Sequence, residues 1–537
     1  MEISRVQGPL VALVLLVAHA ALAQDSPVFV RRSALPTPPV LDVEVLRQQR
    51  VDIPSAQTLS NPQQSSVLEL DLFADVSFRA VRERLEPTAH GMSWVGVLEG
   101  YPESTALFVL VKDELIGHIY TPFGFFRIER QADGTYLVQQ IDQSAFPEGP
   151  DVIETPPEAA DRSTDDVSSG RADNGSVMDV LVAYTRNALA GFGSETRALA
   201  TIDLVVAETN QAFRGSRIST QIRLVHTTGV DYAEDGSSDL GRLRNASDGF
   251  MDGIHGLRDR YAADLVALIT ERGEGYCGIA YVLSRRRSAG DPGGGFSVTV
   301  RSCTANGRTF AHELGHNLGA AHDWYVEGPG QGVNDYSYGY VNLPGRFREV
   351  MAYYDLCRDT RTNCANLLAY SNPALTHNGR RAGVPVGTNV TCTKGNVNNP
   401  DCDADLARTF AETAPVIARY RHSLTALSAR QLLPGASFRS AGGRFRLTYQ
   451  TDGNLVLYDD RDRVPLWATR TGGTSPGQAI LQTDGNFVVY DRGGAAVWSS
   501  GTPDNPNAYL MVQDDGNVVI YSANDQPLWS RMQEPSQ

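Results

Sequence analysis

"AHELGHNLGAAHD" (residues 311–323) brings three of the chain's ten histidines and a glutamate into one short run. His312 and His316 stand four residues apart, about one turn of α-helix, so both imidazoles face the same side. Glu313 projects beside that face, within reach of a water at a bound cation. Gly319 is placed to end the helix, because glycine tolerates the left-handed conformation of a sharp exit. The chain can then turn back and deliver His322 as a third ligand. Three nitrogen ligands with one open position is the arrangement of a catalytic zinc, not a structural one. A helix carrying two satisfied histidines explains His312 and His316 singly, but not the whole spacing.

The complete string His-Glu-x-x-His-x-x-Gly-x-x-His resembles the metzincin signature. Metzincins also place a methionine in a tight turn under the metal, and "REVMAYYD" (348–355) supplies Met351, a soft and adaptable packing group. Tyr353 follows at an offset where astacins and serralysins carry a tyrosine that faces zinc or steadies the oxyanion. A packed aromatic is the alternative, with Tyr354 then the exposed ring. Together "HELGHNLGAAHD", "VMAYY" and "YSNPALTHNG" (370–379) resemble the secreted peptidyl-Asp metallopeptidases of the adamalysin-like branch. That resemblance implies an α/β catalytic domain, one catalytic Zn2+ and cleavage on the amino side of aspartate. It also implies an edge strand at "GYCGIAYV" (275–282) that pairs with extended substrate. In such a site Glu313 is the general base and then hands its proton to the leaving amine. The sequence leaves Ca2+ undetermined.

An aspartate-accepting pocket needs a cation, since burying an unpaired carboxylate is costly. Arg358, Arg361, Arg380 and Arg381 lie in the segment after Met351 that walls such a pocket in the family, and the sequence does not choose among them. His90, His226, His255 and His377 lack ligand spacing and read as ordinary structural histidines.

The first residues, "MEISRVQGPLVALVLLVAHAALAQ", have an early arginine, a short apolar run and Ala21-Leu22-Ala23. They read as a secretory signal peptide over 1–23, which predicts a secreted, extracellular protein without stable membrane insertion. The net charge of −15 over 537 residues, with no basic stripe, argues against nucleic acid as a partner. Of the 47 basic residues only Lys112 and Lys394 are lysine. All six cysteines (Cys277, Cys303, Cys357, Cys364, Cys392 and Cys402) fall in one segment. In an exported chain an even number favours disulfides, with sequential pairing (277–303, 357–364, 392–402) the choice among the possible connectivities. No cysteine precedes Cys277, so a cysteine-switch form of latency has no residue to use.

Residues 24–145 alternate in the manner of strands, as in "SVLELDLF" (66–73) and "TYLVQQID" (135–142), and read as a β-rich propeptide. Residues 146–176 are acidic and rich in Pro, Ser and Gly, and read as an exposed, cleavable linker. A protease that cuts before aspartate can release its own propeptide at Asp161, Asp165, Asp166, Asp173 or Asp179, with Asp173 preferred. Strand and helix patterns alternate over 177–422, the expected protease domain.

From about residue 423 one phrase appears three times: "QTDGNLVLY" (450–458), "QTDGNFVVY" (482–490) and "QDDGNVVIY" (513–521), each trailed by a tryptophan: Trp467, Trp498 and Trp529. Such a period marks a repeated β unit. Residues two apart share one face of a strand, so Gln450, Asp452, Asn454 and Tyr458 line up around Val456. Gln482, Asp484, Asn486 and Tyr490 do the same, as do Gln513, Asp515, Asn517 and Tyr521. The phrase resembles the mannose-binding motif of bulb-type lectins, which implies an all-β prism over 423–537 with mannose-containing glycans as ligands. The alternative is that Asp-Gly-Asn only forms a turn. The tryptophans are assigned to the prism core.

Two functions compete. One is a secreted zinc endopeptidase acting on protein substrates and targeted to glycans by its lectin tail. The other is a carbohydrate-binding adhesin with an inactive protease domain. The intact Glu313 favours the first.

Overall fold

The computed structural model describes residues 28–532, apart from 155–176, 284–291, 421–430 and shorter intervals at 41, 148, 150–151, 262, 305–306, 389–390, 398–400, 419, 433, 436, 441–443, 483, 507, 514 and 523–525. The leader 1–23 and the aspartates Asp161, Asp165, Asp166 and Asp173 lie outside the described residues.

The N-terminal alternation closes into a barrel from Val28–Arg32 to Tyr136–Ile141, antiparallel except where Val28–Arg32 runs parallel to Val67–Phe73. Closure leaves no open sheet edge. The inward residues, among them Trp94, Phe108 and Phe126, form a single apolar core. One outer face, with Val95, Leu107, Val109 and Ile116, packs on Ala200 and Leu204 of the helix Glu195–Gly215. That helix begins at Ser194, whose side chain caps the Arg197 N–H at 3.1 Å. It carries two buried carboxylates toward the barrel. Asp203 lies 2.9 Å from His90 Nδ1, and Glu208 lies 2.5 Å from His118 Nδ1 and accepts from the Tyr120 hydroxyl at 2.8 Å. His377 pairs with the barrel's Glu103 at 2.7 Å, His226 stacks on Tyr261 and His255 meets the Leu243 carbonyl. The histidines read as structural therefore have structural partners.

The apolar runs of the next segment form a six-stranded sheet ordered Val152–Glu154, Gly278–Val282, Phe296–Val300, Leu265–Thr270, Val177–Thr185, Gln221–Val230. The four strands from Phe296–Val300 onward pair in parallel, while Gly278–Val282 is antiparallel to Phe296–Val300. The helices Glu195–Gly215, Thr309–Asn317 and Leu406–Ile417 contribute to one core against this sheet. The disulfides are sequential: Cys277–Cys303, Cys357–Cys364 and Cys392–Cys402.

Two expectations are corrected. The expected exposed linker is seated at two points: Phe146 packs against the protease core, and Val152–Glu154 adds a strand, in parallel, to Gly278–Val282. The linker's polar composition conceals this because strand addition uses backbone hydrogen bonds. Asp179 is not at an accessible edge either. It is buried within Val177–Thr185 and bridged to Arg223 at 2.7 Å, so it is no cleavage point in the folded chain.

The C-terminal repeats form three antiparallel sheets around a common core. Trp467, Trp498 and Trp529 meet edge to face, with centroids 5.6–5.7 Å apart. Among the described residues, no helix is long and apolar enough to cross a membrane.

Candidate metal centre

The helix Thr309–Asn317 carries His312, Glu313 and His316 and is buried from Phe310 to its end. It ends where expected: the Gly319 N–H bonds the His316 carbonyl at 2.8 Å, and Gly319 adopts φ +94°. The returning strand Ala321–Asp323 pairs with Tyr338–Gly339, which fixes His322.

The three histidines converge. His312 Nε2 lies 3.1 Å from His322 Nε2 and 3.2 Å from His316 Nε2. Tetrahedral Zn–N bonds separate ligand nitrogens by about 3.3 Å. Each outer nitrogen meets an acceptor: His312 Nδ1 the Val350 carbonyl at 2.8 Å, His316 Nδ1 the Ala320 carbonyl at 2.8 Å, and His322 Nδ1 the Glu327 carboxylate at 2.5 Å. With protons on Nδ1, three Nε2 lone pairs face one another, an arrangement that a bound cation would satisfy. The residues present therefore fit a divalent metal with nitrogen preference.

Glu313 is 1% exposed and lies against Gly278 of the neighbouring strand. A Cβ at Gly278 would stand 2.2 Å from Glu313 Oε1, so glycine is needed there for the carboxylate to reach the cleft. Gly315 serves the other side of the helix: a Cβ there would stand 2.4 Å from Met351 Sδ. The Met351 turn is braced by Glu349, which accepts the Tyr340 and Met351 N–H groups at 2.8 and 3.1 Å. Burial pushes the Glu349 carboxyl up to about 8. Asp323 accepts the Tyr353 N–H at 3.0 Å and ties that turn to the third-ligand strand.

Of the two adjacent tyrosines, Tyr353 is the one beside the histidines, with its ring 4.1 Å from that of His322. Its hydroxyl donates to the Gly149 carbonyl at 2.9 Å. The segment after the barrel thus crosses the cleft. Phe146 and Pro147 lie at a cavity of about 70 Å³ whose walls include His312, Glu313, Val350 and Tyr353. The sequence holds no ready signal for Gly278, Gly315 or Glu327, because each is defined by a neighbour distant in the pattern.

The four arginines proposed for an acid pocket do not line this cavity. Arg358 is exposed and pairs with Asp355 and Asp359, Arg361 sits exposed in a turn at φ +54°, and Arg380 and Arg381 are exposed on a short hairpin. The arginines that do line it are Arg308 and Arg348.

In the three repeats the motif bends: Asp-Gly-Asn forms a turn, with Gly453, Gly485 and Gly516 at φ +81° to +90°, and only the second half is strand. The turn still brings the ends together. Gln450, Gln482 and Gln513 donate to the hydroxyls of Tyr458, Tyr490 and Tyr521 at 2.7, 2.9 and 2.8 Å. Asp452, Asp484 and Asp515 accept the N–H of Asn454, Asn486 and Asn517 at 2.8–3.0 Å.

Residues 175–373 match the Metallo-peptidase family M12B Reprolysin-like family. The chain is 28% identical over 444 residues to the peptidyl-Asp metalloendopeptidase of Stenotrophomonas maltophilia, covering 76% of this chain and 97% of that protein. It is 30% identical over 325 residues to the one from Xanthomonas campestris pv. campestris, covering 60% and 70%. Over 61 residues it is 43% identical to the mannose-specific lectin of Aloe arborescens, covering 11% and 54%. The converging histidines thus belong to a metalloendopeptidase, and the chain is a member of the peptidyl-Asp metalloendopeptidase family with a C-terminal region that matches bulb-type mannose-binding lectins.

Proposed function

We propose that the chain is a secreted, zinc-dependent endopeptidase that cuts proteins on the amino side of aspartate and is held to mannose-type glycans by its C-terminal prism. The observation that carries the protease reading is the convergence of three Nε2 atoms beside the buried Glu313. His312, His316 and His322 would hold the metal, which when bound would supply Lewis acidity toward water and the scissile carbonyl. Glu313 takes a proton from the attacking water and delivers it to the leaving amine. The Tyr353 hydroxyl, once parted from Gly149, donates toward the developing oxyanion. A cleavage profile on a peptide library tests this reading: cuts clustered before aspartate are expected, and cuts indifferent to the following residue overturn the specificity.

Residues 24–154 act on this reading as a propeptide that occupies the cleft. The strand Val152–Glu154 supports it, because it runs parallel to Gly278–Val282 along the edge where substrate adds. Release then requires a cut in 155–176, a stretch holding Asp161, Asp165, Asp166 and Asp173. N-terminal sequencing of the secreted protein is expected to begin at one of these aspartates, Asp173 first. A start at another residue, also found in Glu313→Gln protein, would assign processing to an outside protease.

For the prism, three like Gln–Tyr pairs support one weak sugar site per repeat. Linked sites raise avidity without new contacts. Removing residues 430–537 is expected to leave peptide cleavage intact and abolish retention on a mannan column. A truncated protein that is still retained would place glycan binding elsewhere.

A further inference from the structure

An aspartate-directed protease must meet a carboxylate next to the scissile bond with a cation, and the cavity at His312 and Glu313 holds two. Arg348 ends the short strand Phe347–Arg348, which pairs with Val341–Asn342 and Ala365–Asn366. It is 1% exposed, among the largest fully buried side chains. Its Nη1 donates to the Ala352 carbonyl at 2.7 Å, and its guanidinium lies 5.3 Å from the Tyr354 ring centroid. Arg308 precedes the helix Thr309–Asn317, and its Nη1 donates to the Glu349 carbonyl at 2.7 Å. Both guanidinium groups are thereby positioned by backbone of the Met351 turn. The same cavity wall includes Val350 and Ala352, so the cations sit in a partly apolar enclosure. Arginine is seldom buried without a task, and a planar five-donor fork matches a carboxylate in two-point geometry.

We propose that Arg348, assisted by Arg308, is the residue that selects aspartate on the primed side of the scissile bond. The inference rests on the reading of this cavity as part of an aspartate-directed protease site. An aspartate side chain entering past His312 and Val350 places its carboxylate against the Arg348 fork. Asparagine has the same shape but turns an N–H2 donor toward a group that only donates, so one pair is lost and a buried donor is left opposed. A structural brace would behave differently: Arg348 would then support the Ala352 carbonyl and affect every substrate alike.

The test uses the full chain, expressed with its N-terminal segment and allowed to process itself, on matched peptides with Asp or Asn after the scissile bond. The unsubstituted enzyme is expected to favour Asp over Asn by at least tenfold in kcat/KM. Arg348→Met is expected to collapse that ratio to within about threefold, whatever it does to the common rate. Arg348→Lys keeps the charge but not the fork, and is expected to reduce the ratio partway. Arg308→Met gives a smaller fall and, with the lysine variant, decides the matter if Arg348→Met does not fold. An unsubstituted enzyme indifferent to Asp or Asn would overturn the aspartate reading on which the inference rests. A preserved ratio in the Arg348 variants of an Asp-selective enzyme would overturn the assignment of Arg348 while leaving that reading intact.

Discussion

Glu313→Gln is expected to lose roughly 10³-fold or more in turnover while retaining fold and metal, since general-base help is typically worth about 10² to 10⁴. The substitution conserves size. That matters because the side chain is 1% exposed and fills the space left by the absent Cβ of Gly278. A larger or reshaped group would press on that strand. The outer nitrogens of the three imidazoles meet Val350, Ala320 and Glu327. The ligands therefore keep their orientation, and metal content per chain should equal that of the parent. Glutamine cannot accept the proton that the carboxylate takes. Activity within tenfold of the parent would remove Glu313 from the assigned role. If the chain processes itself, the same variant also accumulates the uncleaved precursor, a second readout on the same preparation.

The metal site was legible because its geometry is local. Four residues of helix fix His312 against His316, and a left-handed glycine sets where His322 returns. The three disulfides also followed chain order. Which arginines line the cavity beside His312 is a long-range matter. Arg358, Arg361, Arg380 and Arg381 all follow Met351 in the chain, yet each stays at the surface. Arg348 reaches the cavity through the pairing of Phe347–Arg348 with strands on both sides. Sequence alone places an arginine outside by default. The same holds for residues 146–154, whose acidic and proline-rich composition reads as solvated chain. What seats Val152–Glu154 is the edge of Gly278–Val282, a property of the sheet and not of the segment. In the repeats the motif residues were legible, but a continuous strand was the wrong path to them. The glycine at positive φ makes a turn, and Gln and Tyr meet across it.

Replacing His322 by alanine should cost the chain its stoichiometric metal on dialysis. His312 and His316 share one rigid helix and provide two ligands without help. The third comes from a strand held by pairing with Tyr338–Gly339, and its ring lies tilted against that of Tyr353. Alanine leaves two nitrogens, and the chelate is broken. Glu327→Gln separates the ligand from its support. The Glu327 carboxylate lies 2.5 Å from His322 Nδ1, whereas Nδ1 of His312 and of His316 meets a backbone carbonyl. A carboxylate at that distance orients the ring and aims Nε2 inward. Losing such a partner typically weakens metal binding by roughly 10- to 100-fold. Competition with a chelator should therefore rank the parent first, Glu327→Gln second and His322→Ala last. Circular dichroism on the same samples reports whether the fold survives. Retention of one metal per chain by folded His322→Ala would put the third ligand on another residue. Unchanged affinity in Glu327→Gln would reduce that carboxylate to a neighbour of His322 with no hold on the metal.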